Sequence, residues 1–328
     1  MISEQNQVNS KPNRGRLYCS IEKFRPYLFF SLVDYRNSYF MSNDPDKIIE
    51  FYKSFESRDQ LIEWMKERPE GTANIYEIEG NKEIIVVIPT ADFNGKYAKE
   101  CRENVFNGLH IIFVESGGKG DFYFKFSYYV NAGIKKAMEH HPKWVVFSSD
   151  DVYEISEVEN LKEELSKKDP NEIDLLFTKE IPYITQHSKL AERRFIFKVI
   201  LPLATKNFKW NKFERKFKIR YLGAPTKGLI SILYKKGRTF INFIAFSIFS
   251  INLCNKLNGN ILDETYINAA EDTDLSLKAS TEYRSEIINF EIGAFKGKTI
   301  GTGKIRRFRE IPSNAYLNYK IETGQLKT

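Results

Sequence analysis

Three short apolar runs, each cut off by polar residues, constrain the fold of this chain more than any other feature. They are EIIVVIP (83–89), HIIFVES (110–116) and WVVFSS (144–149). Runs of this kind, rich in β-branched residues, suit strands covered on both faces. Between the first two, Tyr97, Cys101 and Val105 recur at helical spacing; between the second and third, Phe126, Val130, Ile134, Ala137 and Met138 do the same. IDLLFT (173–178) reads as a further strand. Strand–helix alternation implies right-handed crossovers. The predicted fold class is therefore α/β, a doubly wound, mostly parallel sheet flanked by helices. In such sheets ligands bind beyond the carboxyl ends of the strands, so the residues just after each run carry the most functional weight.

After the third run come Asp150 and Asp151. Carboxylates at a strand end are well placed to hold Mg²⁺ or Mn²⁺, and those cations in turn hold phosphates. A plain polar turn is the competing reading, because Ser and Asp are ordinary turn residues. A second acidic constellation, LDETYINAAEDTDLSLKA (262–279), carries Asp263, Glu264, Glu271, Asp272 and Asp274 ahead of a helix-like run. Acids in a first helical turn are expected from the helix dipole alone. Facing a metal–diphosphate across a cleft, one of them could instead take a proton from an incoming hydroxyl.

The rest of the chain sets the context. Its 328 residues are 42% hydrophobic and 14% aromatic, enough for a sizeable core. The polar residues 1–17 predict a disordered tail. Residues 18–80 predict a small α/β N-terminal extension, in which Ser57 and Gln60 form a capping-box pattern and 73–79 read as a strand. The N-terminus lacks the apolar core of a signal peptide. Three widely spaced cysteines, Cys19, Cys101 and Cys254, suggest free thiols in a reducing cytoplasm. The longest apolar stretch, 240–254, falls short of the roughly 20 residues a membrane span needs and reads as a buried strand or helix.

Net charge is unevenly spread. Residues 189–238 hold 15 Lys or Arg against Glu192 and Glu214, so this segment carries +13 while the whole chain carries +7. Interleaved with aromatics, it reads either as a solvated face or as a surface for an anionic partner, whether a phospholipid membrane, a lipid-linked phosphate or nucleic acid.

Taken in order, IIVVIPT, IIFVESGGKGD, NAGIKKAM, FSSDDV and LDETYINAAEDTDLSLKA resemble a family 2 glycosyltransferase of the GT-A fold, over roughly residues 83–300. Such enzymes run from a strand ending in Pro-Thr through an acidic residue after the second strand and an Asn-x-Gly helix start. An Asp-x-Asp metal motif and a late Glu-Asp-x-Asp-Leu complete the pattern. The resemblance implies a GT-A domain at 81–310, with a nucleotide-sugar half at 81–185, an acceptor half at 186–310 and a C-terminal tail at 311–328. It implies that Pro89, Thr90, Asp92 and Glu115 line the nucleotide pocket and that Asn131 and Gly133 lie under the nucleotide. Asp151 would ligate Mn²⁺ or Mg²⁺, Asp150 would turn to ribose or sugar, and Asp272, supported by Glu271, would be the general base.

This chain departs from the family pattern at four places. Glu115 stands where the family usually has an Asp, Ser149 stands at the first position of Asp-x-Asp, Lys278 replaces an Arg, and FKGKT (295–299) holds no His. The implied function is inverting transfer of a sugar from a nucleotide-diphosphate donor to an acceptor hydroxyl. Lipid-linked, glycan, protein and nucleic-acid acceptors all stay open, as does peripheral attachment to an anionic membrane through 189–238. A catalytically degenerate domain that binds polyanions and a nucleotidyltransferase are the alternatives.

Overall fold

The computed structural model describes residues 35–117, 122–178, 246–294 and 308–326. The basic segment 189–238, the tail at 1–17 and the FKGKT stretch lie outside the described residues.

After a helical stretch at residues 35–40, two helices lead in. α1 (Pro45–Lys53) starts with Pro at its first turn and with the Asp44 carboxylate accepting from the Asp46 amide. α2 (Arg58–Glu67) is capped as its sequence predicts. The Gln60 amide donates to Ser57 Oγ at 3.2 Å, and Gln60 Oε1 reaches back to the Glu56 amide. β1 (Asn74–Ile78) and β2 (Asn81–Thr90) come next, then α3 (Lys96–Glu100), which continues into a π-helical turn at Cys101–Val105. Beyond it lie β3 (Leu109–Glu115), α4 (Phe126–Met138), β4 (Trp144–Ser148), β5 (Val152–Glu154), α5 (Val158–Ser166) and β6 (Leu175–Thr178). β7 (Phe246–Ser250), α6 (Ile251–Lys256), α7 (Glu271–Thr281), β8 (Ser285–Ile288), β9 (Ile292–Ala294) and α8 (Ile311–Glu322) complete the described chain.

Seven strands form one sheet in the order β1-β3-β2-β4-β7-β6-β8. β2 pairs in parallel with both β3 and β4, and β6 with β8, whereas β1 and β7 run antiparallel to their neighbours. The sheet is thus mixed, with most strands pointing one way. β5 and β9 make a separate two-stranded ribbon. Along β2, Ile84, Val86 and Ile88 enter one core with α3 and α5, while Ile85 and Val87 enter another with α4, α6 and α7. Burial on both faces explains the unbroken apolar run.

Two expected boundaries give way. The strand of the N-terminal extension is the edge strand of the main sheet, so no domain boundary falls at residue 80. The chain crosses the start of β3 to reach β2, and a Cβ at Gly80 would lie 2.3 Å from the Leu109 carbonyl oxygen, which only glycine avoids. The expected tail at 311–328 contains α8. Its Ile311, Ala315, Tyr316 and Leu317 join Phe40, Phe51, Trp64 and Met65 in a third core. Pro312 at the helix start and apolar residues around the helix explain why it docks rather than trails.

Candidate active site at the carboxyl edge of the sheet

β2, β3 and β4 end side by side at Thr90, Glu115 and Ser148. Thr90 Oγ1 donates to Asp150 Oδ2 at 2.8 Å, and the Ser116 amide donates to the Thr90 carbonyl at 3.0 Å. Glu115 is fixed from two sides, by the Phe93 amide at 2.8 Å on Oε1 and by the Tyr76 hydroxyl at 3.3 Å on Oε2. Tyr76 stacks on Phe93 with ring centroids 4.2 Å apart. Arg102 lies over the Phe93 ring and donates to the Phe93 carbonyl. Asp92 is exposed; its carboxylate accepts from the Asn94 amide in an Asx turn that launches α3. Pro89 is half-buried beside Val114 of β3.

Asp150 and Asp151 are 5% and 8% exposed. Burial pushes the Asp150 carboxyl up to about 6. The Thr90 hydrogen bond pulls the other way, and the charge of Asp151 adds to the rise. Ser149 Oγ is buried with no hydrogen-bond partner among the described residues. The Cys101 thiol, raised by burial and by the charge of Asp150, donates to the Asp150 carbonyl at 3.4 Å and is an inert packing group.

The five downstream carboxylates separate into two kinds. Asp263 Oδ2 accepts from Tyr316 Oη and Lys320 Nζ, both at 2.9 Å. Asp274 accepts from Tyr266 Oη at 3.0 Å, from Lys278 at 2.9 Å and from Lys320 at short range. Burial alone would lower the Lys320 ammonium, but Asp274 and Asp263 outweigh it and hold the group above its ordinary range. Glu264 accepts from the Asn131 amide at 2.9 Å. These three are engaged in holding the chain together.

Glu271 and Asp272 are different. They open α7 behind Ala270, whose φ of +68° turns the backbone sharply. Glu271 is buried, with no partner for Oε2 among the described residues, and Asp272 is half-buried with Oδ1 accepting from the Thr273 amide. Burial raises both carboxyls. The charge of Asp272 adds to the rise at Glu271, and Glu310 adds at both. α7 leads directly into β8, which runs parallel to β6, and Leu275 and Ala279 share a core with α4. Its first turn therefore lies toward the carboxyl edge. A tie between the Phe126 amide at the start of α4 and the Ile267 carbonyl agrees with this.

Thr90, Glu115, Asp150 and Asp151 thus gather at one strand-end cluster, with Asp92 on its rim and Glu271 and Asp272 on the same edge of the sheet. Asn131 and Gly133 sit elsewhere. Asn131 is in the middle of α4, where its side chain donates to the Leu262 carbonyl at 2.8 Å and accepts from the Leu262 amide at 3.0 Å. Gly133 packs α4 onto the sheet, since a Cβ there would lie 2.3 Å from Val87 Cγ1. The sequence pattern missed Lys320 and Tyr316, which lie far from the acidic cluster in the chain; their four-residue spacing on one helix face is their only sequence signal. No helix among the described residues is long and apolar enough to cross a membrane.

The chain matches no family model, and comparison with curated proteins and with solved structures finds no match.

Proposed function

We propose that this protein is a GT-A-type inverting glycosyltransferase, using a nucleotide-diphosphate sugar and a divalent metal. One observation carries the reading. Of the carboxylates on the carboxyl edge, Asp150, Glu271 and Asp272, which match motif positions, are raised by burial, and Asp151 is buried beside Asp150, whereas Asp263, Glu264 and Asp274 are satisfied by structural partners. Clustered, perturbed carboxylates beyond parallel strands are where substrate chemistry is expected.

The donor set fits a hard cation. Asp150, Asp151 and the unpartnered Ser149 hydroxyl offer only oxygen, as Mg²⁺ and Mn²⁺ prefer. When bound, such a cation supplies neutralisation of the departing diphosphate. Thr90 orients Asp150 through its hydrogen bond, and Glu115, clamped by Phe93 and Tyr76, presents a fixed acceptor to base or ribose. Asp272 accepts the proton of the acceptor hydroxyl as that oxygen attacks the anomeric carbon from the face opposite the leaving diphosphate. One displacement inverts the anomeric configuration. Glu271, buried beside Asp272, holds a proton more readily than an ordinary carboxyl and so leaves the negative charge on its neighbour. The acceptor carries hydroxyls and, through 189–238, meets the protein as an anionic or membrane-bound molecule at the cytoplasmic face.

The test combines two variants with a panel of nucleotides and nucleotide sugars, read by thermal shift with and without Mn²⁺. Asp272→Asn should lower transfer by about 10²–10⁴, the usual worth of a general base, while keeping donor binding. Asp151→Ala should abolish metal-dependent nucleotide binding. Donor affinity collapsing in Asp272→Asn with the fold intact would reassign that residue. Stabilisation by no nucleotide would favour a degenerate, polyanion-binding domain.

A further inference from the structure

At the opposite edge of the sheet, three side chains that take no part in the carboxylate site converge from three elements. Glu77 comes from β1, His110 from the start of β3 and His140 from the turn after α4. Glu77 Oε2 lies 3.0 Å from His110 Nε2 and 2.7 Å from His140 Nε2. One potential ligand atom from each residue falls within 4.8 Å of the others. The two imidazole rings are tilted by 59° with centroids 4.7 Å apart, so their nitrogens point to a common spot. The His110 side chain is wholly buried, while His140 and Glu77 are 20% and 27% exposed, giving a closed floor and an open mouth.

The second nitrogen of His110 supports the case. Its Nδ1 is buried with no hydrogen-bond partner among the described residues, and Glu79 Oε2 lies 3.6 Å from it. With a metal on Nε2, the Nδ1 proton would be directed at Glu79. This is the carboxylate–histidine–metal arrangement that orients ligating imidazoles. The last turn of α4, whose Ala137 carbonyl accepts from the His140 amide, adds a dipole favourable to a cation. Lys136 lies 3.3 Å from Glu77 Oε1 and is also held by Glu139 at 2.7 Å, so Oε2 can serve the metal while Lys136 keeps its own partners.

We propose that Glu77, His110 and His140 form a three-ligand site for a divalent transition metal of the zinc class, with the fourth position open to water. Two imidazoles and one carboxylate suit Zn²⁺, Co²⁺ or Ni²⁺ rather than Mg²⁺ or Mn²⁺. The site ties β1, an edge strand hydrogen-bonded only to β3 within the sheet, to β3 and to the end of α4. It is independent of the carboxylates at the other edge and does not rest on the proposed transferase activity.

The experiment uses the untagged full chain, stripped with chelator and titrated with Zn²⁺ and Co²⁺. Zn²⁺ should raise the melting temperature with one equivalent bound at this site, and Co²⁺ should give the visible absorption of a nitrogen-containing tetrahedral site. His140→Gln and Glu77→Gln should remove both signals. Glu79→Ala, which takes the proton acceptor from His110, should weaken binding about 10–100-fold. His141→Gln and Asp151→Asn should leave Zn²⁺ and Co²⁺ binding at this site unchanged. Absence of Co²⁺ absorption, or absorption that survives both His140→Gln and Glu77→Gln, overturns the proposal and leaves a hydrogen-bonded trio. Because His140 and Glu77 are partly exposed, their variants should fold, which the far-ultraviolet dichroism of each will verify.

Discussion

Asp150 shows how far one residue can be read from sequence and where that reading stops. Its position at a strand end, ahead of a turn, was legible from WVVFSSDDV alone. Its partner was not, because Thr90 lies 60 residues earlier and only the parallel pairing of β2 and β4 brings the two strand ends together. The same limit applied to the downstream acids. Adjacent carboxylates look alike in a sequence, and only the arrival of Lys320 and Tyr316 distinguishes Asp263 and Asp274 from Asp272. The raised pKa of Asp150 has a consequence for stability. In the unfolded chain this carboxyl titrates near 3.8, in the folded protein near 6, so folding favours its protonated form. That contribution is present below about pH 4 and is lost as pH rises through 6, a shift worth roughly 3 kcal/mol by linkage. Asp150→Asn cannot ionise and still accepts from Thr90. In metal-free buffer it should therefore be about 2–3 kcal/mol more stable than the native protein at pH 8 and nearly equal at pH 4. Urea midpoints at the two pH values measure this. An equal gap at both would mean that Asp150 does not titrate as described.

At the scale of elements, hydrophobic periodicity located the strands and helices well but did not give their directions. β2, β3, β4, β6 and α4 fall close to the stretches expected. The 240–254 run was readable as strand or helix, and its described part is both, β7 passing into α6 at Ser250, whose hydroxyl caps the helix by accepting from the Leu253 amide at 3.2 Å. The antiparallel insertion of β7 between β4 and β6 leaves no mark in composition. Direction depends on the path between strands, not on the residues within one. Asn131 and Gly133 illustrate a related ambiguity. An Asn-x-Gly pattern is compatible with a place under a nucleotide, yet Asn131 is taken up by hydrogen bonds to Leu262 and Glu264 and Gly133 by packing. A Cβ on Gly133 would stand 2.3 Å from Val87 Cγ1 and 2.8 Å from Val114 Cγ2, so α4 would have to lift off the sheet. Gly133→Ala should therefore cost about 1–3 kcal/mol, the range for overpacking, despite alanine's better helix propensity. Chemical denaturation decides the sign. A neutral or stabilising result would show that α4 can shift without loss.

Over the whole molecule, the ends of the described chain close on each other. The helices before the sheet and α8 after it build one core around Phe51, Trp64, Tyr266 and Tyr316, and α2 touches α8 again through Arg58 and Glu322 at 2.7 Å. Sequence patterns separate these regions because each is short and neither shows strand–helix alternation; their apolar faces have meaning only when paired. The polar seam of this core is Lys320, 7% exposed, between Asp263 and Asp274. A buried cation shared by two carboxylates is a weak net stabiliser against an apolar replacement of the whole group, but removing one member strands the others. Lys320→Met should therefore destabilise the protein by about 3–5 kcal/mol. The loss should be greatest above the carboxylate range and smaller at low pH, where Asp263, no longer held down by the Lys320 ammonium, protonates. Adding Asp263→Asn to Lys320→Met should recover part of the stability, since Asp263 is the carboxylate left without a cation, whereas Asp274 keeps Lys278 at 2.9 Å. Because Asp274 is two residues from Asp272, the single variant should also lower the proposed transferase activity by disturbing the first turn of α7, and the double variant should partly restore it. A loss below about 1 kcal/mol in urea titrations at neutral pH, well short of what a stranded buried charge costs, would mean that α8 is not a fixed part of this core.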